Sequence, residues 1–99
     1  MFVLSLRHRV RDYEAWKSVF DERLHARLAG RVVGHRLARS AGDPSEVEVV
    51  MEFASRADAE AYLEYMEKPE TRDALARAGV EEHVPMWIGE QVEAVSYPR

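Results

Sequence analysis

Six stretches of hydrophobic patterning follow one another along these 99 residues, and their order constrains the fold more than any single motif. A period-2 stretch, Phe2 to Arg9, is followed by a period-3.6 stretch, Asp12 to Leu28. Two further period-2 stretches, Arg31–Arg39 and Glu46–Phe53, are hinged at Ser40-Ala41-Gly42-Asp43-Pro44. A broken helical stretch, Arg56 to Ala78, and a last strand, Pro85 to Tyr97, complete the chain. This is β-α-β-β-α-β, the split βαβ order of a ferredoxin-like α+β domain. It predicts one four-stranded antiparallel sheet with its helices on one face. The other face is left for something else to cover, and a second copy of the chain is the expected partner.

Alternation along each strand assigns the faces, because successive side chains point to opposite sides. Phe2, Leu4, Leu6 and His8 share one face of the first strand; Val3, Ser5, Arg7 and Arg9 share the other. The third strand repeats the division, with Val47, Val49, Met51 and Phe53 against Glu46, Glu48, Val50 and Glu52. In the last strand Met86, Ile88, Val92 and Ala94 oppose Trp87, Gly89, Gln91, Glu93 and Val95. Asp12 is placed to cap the first helix, whose stripe reads Tyr13, Trp16, Phe20, Leu24 and Leu28, with Gly30 at a left-handed C-terminal position. Ser55 and Asp58 resemble a capping box for the second helix, with Ala59, Tyr62, Leu63 and Met66 inward. Pro69 restarts a short helix that ends at Gly79, with Ala74, Leu75 and Ala78 inward.

Composition removes several function classes. A hydrophobic content of 46% supplies one modest core, a single domain over residues 1–99. A net charge of −4 without a basic run argues against nucleic acid as a partner. The absence of cysteine removes thiolate catalysis and Cys-ligated clusters. The four histidines show no HxH or HxxxH spacing, so no metal site is expected. No apolar run reaches membrane-spanning length, and a soluble cytoplasmic protein is expected. Phosphate-binding glycine loops, nucleophile elbows and dinucleotide fingerprints are missing from the sequence.

Several segments carry a family resemblance. They are Asp12-Tyr13-Glu14-Ala15-Trp16-Lys17 opening a helix, Gly34-His35-Arg36-Leu37 in a strand, Glu52-Phe53-Ala54-Ser55 running into a helix, and Ala78-Gly79-Val80 before the last strand. With the element order, they resemble the dimeric α/β-barrel superfamily, and within it the antibiotic-biosynthesis-monooxygenase-like group. The resemblance implies two sheets meeting face to face across a two-fold axis, and a ligand cavity in each subunit between sheet and helices. It implies a small cofactor-independent monooxygenase or polyketide cyclase acting on an aromatic, polyketide-like or quinol molecule. The alternative is a homodimeric module that binds a small apolar ligand, or assembles, without turnover. Heme-degrading members resemble the same regions but are expected to carry an asparagine near residue 8 and a histidine on the third helix, and both they and anthrone-oxidising relatives a tryptophan at 53. Here there is no asparagine, position 53 is Phe, and the third helix has no histidine.

The candidate catalytic residue is His8, the titratable group on the helix-facing side of the first strand, suited to act as base, acid or oxyanion donor. Its place near the end of the predicted strand suggests a half-exposed ring. Trp16, Phe20, Met51, Phe53, Tyr62 and Met66 are the expected cavity wall, with Arg36 or Tyr62 as anion stabiliser. Arg7, His35, Glu48, Val50, Glu52 and Trp87 are the expected dimer face, where Glu48 and Glu52 pair with Arg7 and Arg9. If Ser40 to Ser45 forms the loop, Arg39 pairs with Glu46, which puts His35 on the dimer face and Arg36 in the cavity; a one-residue slip exchanges them. His25 and His83 read as surface residues, and Arg72 and Arg77 as a solvated helix face.

Overall fold

The computed structural model describes residues 1–98, excepting the side chains of residues 82–85. Its order is β1(Phe2–Val10), α1(Tyr13–Glu22), α2(Leu24–Ala29), β2(Gly34–Arg39), β3(Glu46–Phe53), α3(Arg56–Glu67), α4(Pro69–Arg77) and β4(Val80–Glu90). The four strands form one antiparallel sheet in the order β2-β3-β1-β4. This is the ferredoxin-like α+β arrangement, with each predicted helical stretch broken into two helices.

The local signals act as the sequence suggests. Asp12 accepts a hydrogen bond from the Ala15 N–H (3.2 Å) and Ser55 from the Asp58 N–H (3.1 Å), each satisfying an orphan donor of a first helical turn. Pro69 occupies the first turn of α4, where no N–H is needed. Gly79 takes φ +97°, a left-handed value that a side chain resists, and turns the chain into β4.

The core lies between the sheet and the helices. Leu4, Leu6, Val10, Val47, Val49, Met51 and Phe53 are buried on the helix-facing side, under Trp16, Ala59, Tyr62 and Met66. The opposite face carries Val3, Ser5, Arg7, Glu48, Val50, Glu52 and Trp87, with Trp87 62% exposed and its ring lying over Gly89. Ion pairs within the chain stud this open face: Arg7–Glu48 at 3.2 Å, Arg9–Glu46 at 2.9 Å and Arg36–Glu52 at 4.0 Å. Glu52 therefore pairs with Arg36 rather than with Arg7 or Arg9.

Four expectations are corrected. First, β4 spans Val80–Glu90 rather than Pro85 to Tyr97. It is matched to β1 from Val10↔Val80 to Phe2↔Glu90, and the Gln91 N–H reaches the Met1 carbonyl as a last rung (2.9 Å). Pro85 is accommodated because β4 is an edge strand and the register shifts between Ser5 and Arg7, opposite that residue.

Second, the β2–β3 register pairs Arg39 with Val47, His35 with Met51 and Arg36 with Val50. Ser40 joins the ladder through its N–H to the Glu46 carbonyl (2.9 Å), which leaves a loop one residue tighter than the count assumed. Asp43 holds that loop, accepting from the Ser45 N–H (3.0 Å) and from Arg9 (2.7 Å), while the Ser40 hydroxyl accepts from the Asp43 N–H (3.2 Å). The slip moves Arg36 to the open face and His35 to the helix side.

Third, Leu24 and Leu28 are 52% and 64% exposed rather than inward. Fourth, Gly30 has φ −82°, and the left-handed residue is Arg31 at φ 64°. Gly30 is required for a different reason. A Cβ there would stand 2.5 Å from Tyr62 Cδ1, so the missing side chain lets α2 rest on the tyrosine ring. His25 is exposed; the expectation for His83 lies outside the described side chains.

Candidate functional site

The helix layer does not seal against the sheet. A cavity of about 60 Å³ remains, walled by Leu6, His8, Val49 and Met51 from the sheet. Trp16, Val19, Phe20, Arg23 and Arg27 enclose it from α1, α2 and their junction, and Tyr62, Tyr65 and Met66 from α3. Thr71, Ala74, Leu75 and Ala78 close it at α4. Most of the wall is hydrocarbon, aromatic ring or thioether, with a few polar groups converging.

His8 is one of those groups. It is 3% exposed, paired across the sheet with Val47 on one side and His83 on the other. The expectation of a half-exposed strand-end ring is corrected. The strand runs on to Val10, whose N–H donates to the Ser45 carbonyl (2.8 Å), and the next N–H, of Arg11, donates to the Gly79 carbonyl (2.8 Å). Two further anchored residues therefore separate His8 from solvent. The imidazole sits in the sheet floor of the cavity.

Trp16, Phe20, Met51, Tyr62 and Met66 all reach the cavity. The Trp16 and Phe20 rings stack at 5.2 Å. Tyr62 packs on Phe53 at 5.8 Å and on Tyr65 at 5.5 Å. Phe53, at 0% exposure, lies behind the Tyr62 ring and does not line the cavity. Burial pushes the Tyr62 hydroxyl above its ordinary value, reinforced by Tyr65 and opposed by the nearby Arg27 and Arg23 cations. Arg36 is exposed on the open sheet face, away from the cavity.

Two cationic residues escaped the sequence reading. Arg27 is 6% exposed, donates from Nη1 to the Phe20 carbonyl (2.7 Å), and lies with Cζ 3.9 Å from the Phe20 ring centroid. Burial is the main cause pulling its pKa below the usual guanidinium value. It remains the protonated species at neutral pH. Arg23 donates to the Tyr65 hydroxyl (2.7 Å), tying the α1–α2 junction to α3 across the cavity rim. The signal for Arg27 was present in the helical period. It stands eleven residues after Trp16, within about 20° of three full turns.

His35 meets the edge of the Phe20 ring at 5.2 Å, so the ring carries Arg27 over its face and His35 at its rim. Partial burial first, then the Arg27 and Lys17 charges, lower the His35 pKa from its ordinary 6.5. Arg72 pairs with Glu67 at 2.6 Å on an exposed surface, as a solvated face requires, and Arg77 is exposed. Among the described residues no three His, Asp or Glu side chains gather in a group that could hold a metal ion. No described helix is long and apolar enough to cross a membrane.

No protein-family model matches the sequence, and no curated protein matches it. Solved structures do match in fold over nearly the whole chain. SnoaB from Streptomyces nogalater, a cofactor-independent oxygenase solved as a point mutant, superposes with a TM-score of 0.69 at 17% identity, covering 97% of each chain. A candidate antibiotic biosynthesis monooxygenase from Deinococcus radiodurans gives 0.62 at 13% identity over 100% of both chains. Another, from Bordetella bronchiseptica, gives 0.69 at 12% identity over 93% of this chain and 97% of that one. The chain thus has the ferredoxin-like fold of the antibiotic-biosynthesis-monooxygenase-like structures.

Proposed function

We propose that the protein is a homodimeric, cofactor-independent monooxygenase- or cyclase-like enzyme acting on an aromatic, polyketide-like or quinol molecule. The observation that carries this reading is a buried imidazole, His8, set in the floor of a mostly apolar cavity walled by Trp16, Met51, Tyr62 and Met66. Such a site excludes water and strengthens each electrostatic contact made inside it. His8 accepts the proton of a phenol or activated methylene, and the Tyr62 hydroxyl donates to the developing anion. In the oxygenase form the anion reacts with dioxygen. One oxygen atom enters the product as a carbonyl and the other leaves as water. The fold likeness to SnoaB, itself a cofactor-independent oxygenase, supports this direction.

The cavity is small. Ligand pockets span about 300–1,000 Å³, so a ring system must displace part of the wall, and the flexible Met51 and Met66 side chains are the parts that yield. That smallness also favours a second reading, a homodimeric module that holds a small apolar ligand without turnover. Oxygen uptake with a dihydroxyanthrone separates the two. Wild-type protein is expected to consume oxygen. His8→Ala and His8→Gln should lose at least about 10²-fold of the rate, the scale of general-base catalysis. Intact turnover in a folded His8 variant rejects the catalytic role, and binding without uptake in wild type moves the second reading ahead.

A further inference from the structure

Arg27 is placed at odds with stability. The residue is 6% exposed, and its Nε has no hydrogen-bond partner among the described residues. The bond from Nη1 to the Phe20 carbonyl leaves Nε and Nη2 uncommitted, the edge that makes two parallel hydrogen bonds to a carboxylate. No carboxylate among the described residues forms an ion pair with it. Asp21, the acid that acts on it through space, is already held by Lys17 at 2.7 and 2.8 Å. Among the described residues, the cavity wall contains two arginines and a histidine but no Asp or Glu. A buried cation without a counter-charge carries a desolvation cost that one hydrogen bond and one aromatic contact offset only in part. An apolar side chain of similar length at this position would pack the same space without that cost.

We propose that Arg27 is the anion-recognition residue of the cavity, and that the ligand is an aromatic acid whose carboxylate it binds. This rests on the cavity reading above and narrows its substrate class. Planar, two-pronged donation suits a carboxylate, and the Phe20 ring beneath the guanidinium keeps the fork in one orientation. Arg23, fixed to the Tyr65 hydroxyl, adds positive potential at the rim without competing for the same oxygens. Acid recognition is thus separate from the proton chemistry assigned to His8, which lies on the sheet side of the same cavity.

The test uses 2-naphthoate and its neutral isostere 2-naphthamide, titrated calorimetrically into the intact protein. Wild type should bind the acid at least about tenfold more tightly than the amide, the scale of one charge-assisted hydrogen-bond pair. Arg27→Met should abolish that preference and leave amide affinity within about twofold, with an unfolding midpoint equal to or above wild type. Should Arg27→Met fail to fold, Arg27→Gln keeps a donor for the Phe20 carbonyl and carries the same test. Arg72→Met, on the exposed face, should leave the preference unchanged. Equal affinity of wild type for both probes, or a preference that survives loss of the Arg27 charge, overturns the assignment while the cavity reading stands. Binding of neither probe rejects both.

Discussion

Replacing Gly30 with alanine adds one methyl group at a point where the backbone would accept it freely. With φ −82° and ψ 7°, any L-residue fits the local conformation. On backbone terms alone, the substitution should stabilise the protein by about 0.4–1 kcal/mol through a less flexible unfolded chain. The Tyr62 ring reverses that sign. The new Cβ would stand 2.5 Å from Cδ1 and 2.8 Å from Cε1, roughly 0.9 Å inside ordinary van der Waals contact. Tyr62 is 6% exposed and braced by Phe53 and Tyr65, so its relief lies toward the cavity. Overpacking of this kind costs about 1–3 kcal/mol, which leaves a net destabilisation of about 1–2 kcal/mol. Urea denaturation of Gly30→Ala, Tyr62→Ala and the double variant gives the coupling directly. In the Tyr62→Ala background the alanine at 30 should become neutral or stabilising. An identical cost of Gly30→Ala in both backgrounds would refute the close-approach explanation and return the glycine to a backbone role.

Phe53→Ala removes a ring at 0% exposure and should cost about 3–5 kcal/mol in the same assay; a cost below about 1 kcal/mol would mean that the Tyr62 layer collapses into the space. The His35 ring should titrate below 6.5 by NMR, because its neutral form is favoured in the fold. The unfolded chain then binds more protons, so the His35 contribution to stability is full above pH 6.5 and is lost as pH falls through the lowered folded value. Arg27→Met should raise that midpoint, and an unchanged titration would place the guanidinium away from the ring. We propose assembly through the open sheet face, so sedimentation equilibrium at micromolar concentration should give a dimer. Charge reversal at Glu52 should weaken it more than at the exposed Glu22, and equal effects would reject the face assignment.

Element order and strand faces were legible because period-2 alternation in β1 and β3 leaves one phase for burial. Register was not. Counting loop residues from Ser40 cannot see that the Ser40 and Asp43 side chains close the turn by accepting from backbone N–H groups. One residue of slip was enough to exchange His35 and Arg36 between faces. The helix stripe failed for a geometric reason. Each four-residue step turns about 40° beyond a full revolution. Three such steps from Trp16 carry Leu28 about 120° away from the sheet. Keeping the true period brings Arg23 and Arg27 under the same face, where a pattern search for apolar residues passes over them. Burial of His8 depended on contacts beyond its own strand, the anchoring of Val10 and Arg11 to distant loops, and no local pattern encodes that.

The chain holds two tryptophans, and the sheet stands between them. Trp16 is 4% exposed against Phe20 on the helix side, while Trp87 is 62% exposed and spread over Gly89 on the other. Each indole therefore has its own solvent history. A quencher dissolved in water should dim Trp87 and spare Trp16. Pairing of sheets should protect the first, and an aromatic guest entering the chamber should change the second. With single Trp→Phe replacements, one emission spectrum then reads assembly and occupancy as separate signals from opposite sides of the same four strands.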